Sequence, residues 1–245
     1  MTVIPVVVDA TTRQFESWKG VAVIAEKLGS SGWALAGGQM VALHLLMADL
    51  PFPRVTIDAD TIVDVRARPD AALLASTGLV GAGWVGSGVD NVVHRFTSST
   101  GGVVDILGPD GLRSQPITIP PATTLLAPGG TQLLRRASRV VITVRNGTRS
   151  ISDLNVPLPS RLAALIGKSA ALGLPDGRDR HLLDAIHLTA TLRPADLAEP
   201  LSKADRRWLR NMLEHVELNG DWTFVEGEVE VLARASLARI STLVR

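Results

Sequence analysis

Residues 33–60 decide the fold, and they read WALAGGQMVALHLLMADLPFPRVTIDAD. The first four of these residues are apolar and predict a short buried strand. The pair Gly37-Gly38 predicts a tight turn, and a helix is predicted over 39–48, ending before the prolines that follow. The stretch therefore indicates a strand, a glycine turn and a helix, with a second strand at its end.

The second strand of this stretch, residues 55–60, alternates strictly between apolar and polar side chains. The apolar residues at 55, 57 and 59 are expected to face one side of the strand, and Thr56, Asp58 and Asp60 the other. Two carboxylates therefore share one predicted face. Asp64 has the same parity, and we expect it at a solvated strand end.

The composition excludes several classes of protein. The chain has 245 residues, 25 basic and 24 acidic side chains, no cysteine and 46% hydrophobic positions. A disulfide scaffold and a thiolate metal site are impossible, and a uniformly basic nucleic-acid binder is excluded. The length allows one large domain or two smaller ones.

Two stretches bear on location. The first residues, MTVIP, lack the basic and long apolar regions of an export signal, so the cytoplasm is the expected location. The longest run without charge, 28–48, contains glycines, serines, a glutamine and a histidine. A membrane-spanning helix tolerates these residues badly, and we expect no membrane association.

The N-terminal part of the chain predicts a mixture of helices and strands. Apolar spacing predicts a helix over 13–28 that Gly29 closes, and a further helix is predicted to start at Pro69-Asp70. Strands at 91–97 and 102–107 are predicted to form a hairpin. A second hairpin, with strands at 139–144 and 148–152, surrounds Asn146-Gly147, which favours a type I′ turn.

The C-terminal part is helical by its pattern. Ser160 can cap a helix that ends near Gly173, and further helices are predicted over 179–192 and 226–244. Residues 202–205 have the spacing of a capping box. We therefore predict a mixed α/β (α+β) domain over 1–156 and a helical domain over 157–245.

A third acidic residue joins the pair on the strand. Asp105 lies in the predicted strand 102–107, so it can approach Asp58 and Asp60 and complete a cluster of oxygen ligands. Such a cluster suits Mg²⁺, which can orient a nucleoside triphosphate (NTP) and activate an attacking hydroxyl. Gly37 and Gly38 would let backbone N–H groups approach the phosphates at the start of the next helix.

These motifs resemble the nucleotidyltransferase superfamily that includes DNA polymerase beta. The wording WALAGGQ at 33–39, RVTIDAD at 54–60, Lys168 in one helix and RHLLD at 180–184 in another is similar to the AbiEii-type nucleotidyltransferase-like toxins of abortive-infection and toxin–antitoxin systems. The resemblance covers roughly residues 33–188. It implies a nucleotidyltransferase-fold mixed twisted sheet with flanking helices, followed by a helical C-terminal part.

The resemblance also implies roles for particular residues. Asp58, Asp60 and Asp105 would bind Mg²⁺, Lys168 would contact the nucleotide phosphates, and Asp184 would complete the catalytic site. Two positions depart from the family pattern. Many relatives have a serine where Gly38 stands, which removes a hydroxyl contact to phosphate, and many carry an acid where His181 stands.

Each motif has a simpler structural interpretation. An Asp-x-Asp pair occurs by chance on surface strands, a glycine pair is often a plain turn, and Lys168 can be a surface residue. The chain has 21 arginines and only four lysines, which favours a specific use of a lysine at 168. Asp184 can equally form a helical ion pair with Arg180, four residues before it.

Charge is unevenly distributed along the chain. Residues 111–150 hold six arginines and no acid, whereas 214–230 hold six acids and no base. The arginine segment is a candidate surface for RNA or for an acidic partner protein. An equally weighted interpretation is a solvated hairpin that faces the acidic C-terminal helices of the same chain.

The expected function follows from the resemblance. It implies transfer of a nucleoside monophosphate from NTP to an acceptor hydroxyl, with the 3′ end of a tRNA as acceptor, by a toxin that an antitoxin protein restrains. Two alternatives remain: the same chemistry on a small molecule of the antibiotic type, and a non-catalytic member of the fold that binds nucleotide or a partner.

Overall fold

Strands and helices are interspersed over the first two thirds of the chain. The structure is a computed structural model and describes residues 6–52, 54–219, 222, 225 and 227–244. Its strands are β1 (Val6–Asp9), β2 (Trp33–Ala36), β3 (Ala59–Val63), β4 (Val85–Val89), β5 (Val92–Thr97), β6 (Val103–Pro109), β7 (Leu126–Ala127), β8 (Ala137–Asn146) and β9 (Arg149–Pro159). Its helices are α1 (Thr12–Leu28), α2 (Gly37–Leu46), α3 (Ala71–Gly81), α4 (Gly130–Arg135), α5 (Arg161–Ala171), α6 (Arg178–Thr191), α7 (Lys203–Asn219) and α8 (Gly227–Val244), with a short 3-10 helix at Pro194–Ala198.

The predicted fold class is confirmed, because a mixed α/β part with flanking helices precedes an all-helical part. The arrangement is consistent with the nucleotidyltransferase fold. Contacts group the chain into two compact units, one of residues 1–40 and 56–159, the other of residues 41–55 and 160–245. The division at 156/157 stays a prediction.

The main sheet of the first unit mixes parallel and antiparallel strands. Its strand order is β2-β3-β6-β5-β4, and β7 pairs with β6. β3 runs parallel to β6, whereas β2 pairs with β3, and β5 with β4 and β6, in the antiparallel sense. The parallel pair β3 and β6 lies in the middle of the sheet, where each strand has neighbours on both sides.

The second hairpin belongs to a smaller sheet. β8 and β9 pair antiparallel, and β1 joins β8 in the parallel sense. The predicted type I′ turn is wrong: Asn146 pairs with Arg149, so Gly147 and Thr148 form the loop. Of the three residues Asn146, Gly147 and Thr148, only Gly147 has a positive φ, of 57°. A glycine at the first loop position supplies the left-handed conformation by itself.

The glycine-rich stretch after α3 forms a strand that the sequence pattern did not predict. β4 pairs with β5 across Asp90 and Asn91, which have φ of 51° and 61°. Positive φ at both central residues is the signature of a type I′ turn, and aspartate and asparagine tolerate it well.

Helix α1 is the amphipathic helix that the spacing predicts, and it begins at Thr12. Thr11 and Gln14 form a capping box at its start, and Gly29 closes it with φ of 78°. Trp18 is fully buried on its inner face. At Gly20 the helix approaches the sheet so closely that a Cβ would lie 2.6 Å from Val104 and 2.8 Å from Trp84.

The boundaries of β3 differ from the prediction. The strand begins at Ala59 rather than at residue 55, because its ladder with β6 starts at Ala59 and its ladder with β2 ends at Asp60. Val55 is 67% exposed, so the apolar alternation before Ala59 does not mark a buried face. Asp58 therefore lies just before the strand. Asp64 follows the strand, and its Oδ1 accepts hydrogen bonds from the backbone N–H groups of Arg66 and Ala67.

The predicted glycine turn is part of a helix. α2 begins at Gly37, two residues earlier than predicted, directly after β2. Gly37 has φ of 63°, which turns the chain out of the strand without any intervening loop. Residues with side chains rarely adopt this conformation, so a glycine is required at this position.

The second unit is built from helices. Ser160 caps α5 by accepting a hydrogen bond from the Ala163 N–H group, as predicted. The predicted capping box at the start of α7 is confirmed, because Ser202 and Asp205 each bond to the other's backbone N–H group. Among the residues that the structure describes, none of the helices is long and apolar enough to cross a membrane.

Gly20→Ala should destabilise the protein although alanine favours helices by about 1 kcal/mol. The added methyl group overlaps Val104 and Trp84, and such overpacking costs about 1–3 kcal/mol. Gly81→Ala is the matched control, because a Cβ at Gly81 meets nothing within 4 Å. The free energy of unfolding in urea measures both variants, and equal values would contradict the close packing at Gly20.

Candidate functional site

Four residues lie in register across the main sheet. Ala36 of β2 pairs with Asp60 of β3, Asp60 pairs with Asp105 of β6, and Asp105 pairs with Arg95 of β5. Paired residues on neighbouring strands point to the same face of a sheet. The backbone ladders therefore bring two carboxylates and one guanidinium to one face.

Asp58 completes the acidic cluster from the segment before β3. Carboxylate oxygens of Asp58, Asp60 and Asp105 lie within 4.8 Å of one another. Asp105 is buried, and the other two are half-buried. The structure thus brings the three predicted acids together, and that they bind a metal stays a prediction.

The two glycines are explained by what lies against them. A Cβ on Gly37 would lie 1.6 Å from Oδ2 of Asp60, and a Cβ on Gly38 would lie 2.4 Å from Oγ1 of Thr56. The start of α2 and the segment before β3 therefore pack against each other with no room for side chains. The glycine pair is a packing requirement of the acidic cluster as well as a possible approach for phosphates.

Thr56 links the helix start to the cluster. Its hydroxyl donates a hydrogen bond to Oδ1 of Asp58 at 3.0 Å, and its carbonyl accepts one from Nε2 of Gln39, also at 3.0 Å. Thr56 and Gln39 are both buried. These bonds fix the position of Asp58 although it lies outside the regular strand.

Arg95 contacts two of the three acids, and the sequence analysis did not predict it. Its Nε donates to Oδ1 of Asp105 at 2.9 Å and its Nη2 to Oδ2 at 2.7 Å, which is a bidentate pair. Nη2 also lies 3.8 Å from Oδ2 of Asp58. The hydrogen bonds to Asp105 hold the pKa of Arg95 above its ordinary value.

The donor set fits a divalent cation. Three carboxylates against one guanidinium leave a formal charge of −2 in the cluster. The ligand atoms are all oxygens, which hard cations such as Mg²⁺ prefer. Asp58, Asp60 and Asp105 are the residues that would hold the ion.

Lys168 and Asp184 meet inside the second unit. Asp184 of α6 is fully buried, and its Oδ2 lies 2.8 Å from Nζ of Lys168 on α5. Arg54 binds the same carboxylate in bidentate fashion, with Nε 3.1 Å from Oδ1 and Nη2 2.8 Å from Oδ2. Because two cations share one carboxylate, this cluster carries a formal charge of +1.

This geometry excludes two of the simpler interpretations. Lys168 is not a surface residue, because only 4% of it is exposed. The ion pairs of Asp184 are with Lys168 and Arg54, not with Arg180. The geometry favours Asp184 as the residue that positions the two cations, and the sequence analysis did not foresee the contribution of Arg54.

Charge and burial shift the pKa values of Asp184 and His181 in the second unit. Burial favours protonation of Asp184, but the charges of Lys168 and Arg54 outweigh it and hold the pKa of Asp184 below its ordinary value of 3.8. Burial, together with the charges of Lys168 and Arg180, lowers the pKa of His181 from 6.5 to about 4. His181 is therefore neutral near pH 7.

Comparisons with known proteins give little further information. The sequence matches no protein-family model and no curated protein. Among solved structures, a STING-associated CdnE c-di-GMP synthase from Capnocytophaga granulosa is similar at 11% identity and a TM-score of 0.29, over 95% of this chain and 80% of that one. At this TM-score the likeness says nothing about what the present chain binds or catalyses.

The pKa of His181 gives a pH-dependent prediction. NMR titration of the imidazole signals, with His181→Asn to assign the resonance, should give a pKa of about 4 for His181. The unfolded chain binds a proton on this residue below about pH 6.5, whereas the folded chain does not. Acidification between these values therefore destabilises the folded state.

The same variant tests the effect on stability. Between pH 7 and pH 5 the wild type should lose roughly 1–2 kcal/mol more unfolding free energy than His181→Asn. A His181 resonance that titrates near pH 6.5, or equal losses for the two proteins, would contradict the predicted environment.

Proposed function

We propose that this protein is a metal-dependent nucleotidyltransferase, which transfers a nucleoside monophosphate from NTP to an acceptor hydroxyl. The observation that carries the proposal is the convergence of the carboxylates of Asp58, Asp60 and Asp105 within 4.8 Å. The resemblance of WALAGGQ and RVTIDAD to the nucleotidyltransferase motifs gives that cluster its chemistry. The parallel pair of β3 and β6 supports it further, because their ladder fixes Asp60 beside Asp105.

The proposed reaction is an in-line displacement at the α-phosphorus. A bond forms between the acceptor oxygen and the α-phosphorus, the bond to the bridging oxygen breaks, and pyrophosphate leaves. Bound Mg²⁺ supplies charge neutralisation and lowers the pKa of the attacking hydroxyl. Asp58 and Asp60 would hold the ion together with Asp105, and Asp105 would also accept the proton of the hydroxyl, either directly or through the metal.

The start of α2 supports a phosphate-binding role. Its first residues are Gly37 and Gly38, which lack side chains and so let the helix start pack directly against Asp60 and Thr56. Free N–H groups in the first turn and the helix dipole favour anions at such an end. Because Gly37 lies against Asp60, phosphates bound at this end would be close to the ion.

The proposed acceptor is RNA, with the 3′ end of a tRNA as the acceptor that the resemblance implies. Arg149 of segment 111–150 is paired with Glu16, and Arg136 contacts Gln132. The other four arginines of the segment are exposed, and these are Arg113, Arg135, Arg139 and Arg145. Exposed arginines can neutralise phosphates in a salt-dependent manner. The role as a toxin and the antitoxin partner rest on the resemblance alone, as do the phosphate contact of Lys168 and the catalytic role of Asp184.

Labelled NTPs offered with total RNA and with aminoglycosides test the proposal. We expect label in RNA and release of pyrophosphate, both dependent on Mg²⁺. Asp58→Asn, Asp60→Asn and Asp105→Asn should each lower the rate by at least about a hundredfold, because each removes a charged ligand. Asp90→Asn is the matched control, since its exposed turn position accepts asparagine and the rate should be unchanged.

Other outcomes would contradict parts of the proposal. Label in aminoglycosides but not in RNA would indicate a small-molecule nucleotidyltransferase. Binding of NTP in calorimetry without any release of pyrophosphate would indicate a non-catalytic member of the fold. Equal activity of Asp58→Asn and wild type would contradict the role of the acidic cluster itself.

A further inference from the structure

Arg95 occupies the position where a cation is expected. Its guanidinium binds both oxygens of Asp105, at 2.9 and 2.7 Å, and lies 3.8 Å from Asp58. Asp105 is the most buried of the three acids, since 8% of its side chain is exposed. The carboxylate that has least access to water is thus the one that Arg95 neutralises.

A divalent ion and this guanidinium cannot easily share Asp105. Each oxygen of Asp105 already accepts a short, charge-assisted hydrogen bond, and such bonds are the strong ones in proteins. An ion bound to Asp58, Asp60 and Asp105 would lie within a few ångströms of the guanidinium, where two positive charges repel each other strongly. One cation must therefore leave before the other can bind fully.

We infer that Arg95 competes with the divalent metal for Asp105 and Asp58, so that the ion binds only when Arg95 releases Asp105. The inference rests on the proposed function, in which these carboxylates hold Mg²⁺. Arg95 is then a positioning residue. Without metal it keeps the carboxylates together, and its release is a step of metal binding.

The structure leaves Arg95 free to make this movement. Its side chain is 44% exposed, so the guanidinium can turn towards water without unpacking the core. Its backbone is fixed by the ladder opposite Asp105, so the guanidinium stays near the cluster after release. Arg95 can therefore leave Asp105 and return to it without a change in the sheet.

Arg68 provides a matched control. It also pairs with an aspartate, with Nε 3.3 Å from Oδ1 of Asp70, and its side chain is 43% exposed. Neither Arg68 nor Asp70 belongs to the acidic cluster of Asp58, Asp60 and Asp105. Arg68→Gln therefore removes a similarly exposed arginine together with its aspartate partner's ion pair, without touching the proposed metal ligands.

Electron paramagnetic resonance of free Mn²⁺ measures metal binding to the full chain without any need for activity. Arg95→Gln should bind Mn²⁺ about tenfold more tightly than the wild type, because the competing charged hydrogen bonds are lost. Arg95→Lys keeps the charge but not the bidentate pair and should give an intermediate affinity. Arg68→Gln should bind as the wild type does, and Asp58→Asn should bind more weakly.

A second measurement uses the wild type and does not depend on the folding of any variant. The Nε–H signal of Arg95 in NMR spectra should lose the shift of its bond to Asp105 when diamagnetic Mg²⁺ saturates the protein, and the signal of Arg68 should not move. An Arg95 signal that stays unchanged at saturation would overturn the inference.

The outcomes separate this inference from the proposed function. If the wild type binds Mn²⁺, Asp58→Asn loses it and Arg95→Gln matches or falls below the wild-type affinity, competition is overturned and the metal site stands. If none of the folded proteins binds Mn²⁺, the competition and the proposed metal site are overturned together.

Discussion

Repulsion between three carboxylates is the constraint on which the first unit depends. At 4.8 Å and an effective dielectric constant of about 20, two such charges repel by about 3.5 kcal/mol. The ladders of β3, β6 and β5 hold the acids in place, Thr56 bonds to Asp58, and Arg95 neutralises Asp105. The sheet thus maintains a concentration of negative charge that a cation from solution would relieve.

In the second unit the charges are reversed, with one carboxylate between two cations. Asp184 is fully buried, and an isolated buried charge is costly, so Lys168 and Arg54 both bind it. The same ion pairs that neutralise Asp184 also hold Lys168 and Arg54 in place. Burial of the imidazole, together with the nearby positive charges, keeps His181 neutral near pH 7.

Much of the fold was predictable because its signals are local. The helix at 13–28, the short strand at 33–36 and the cap at Ser160 follow from spacing and capping chemistry. The start of β3 was not predictable, because Val55 and Ile57 continue an apolar alternation although the ladder of the strand begins only at Ala59.

Asp58, Asp60 and Asp105 were predicted from a motif, whereas the position of Arg95 beside them depends on the register of the hairpin. The predicted hairpin places the opposite charges of Arg95 and Asp105 on its two strands, which was a signal that they could pair. A shift of one residue in the register would give each a different partner, so the hairpin pattern alone does not fix this pair.

The central claim is that Asp58, Asp60 and Asp105 together bind a divalent ion. An anomalous-difference map from crystals soaked in MnCl₂ tests it most directly. The account predicts a peak between the three carboxylates, with metal–oxygen distances of about 2.0–2.2 Å and the Arg95 guanidinium withdrawn from Asp105. A map from Mn²⁺-saturated crystals with no peak at the cluster, and with Arg95 still paired to Asp105, would contradict it.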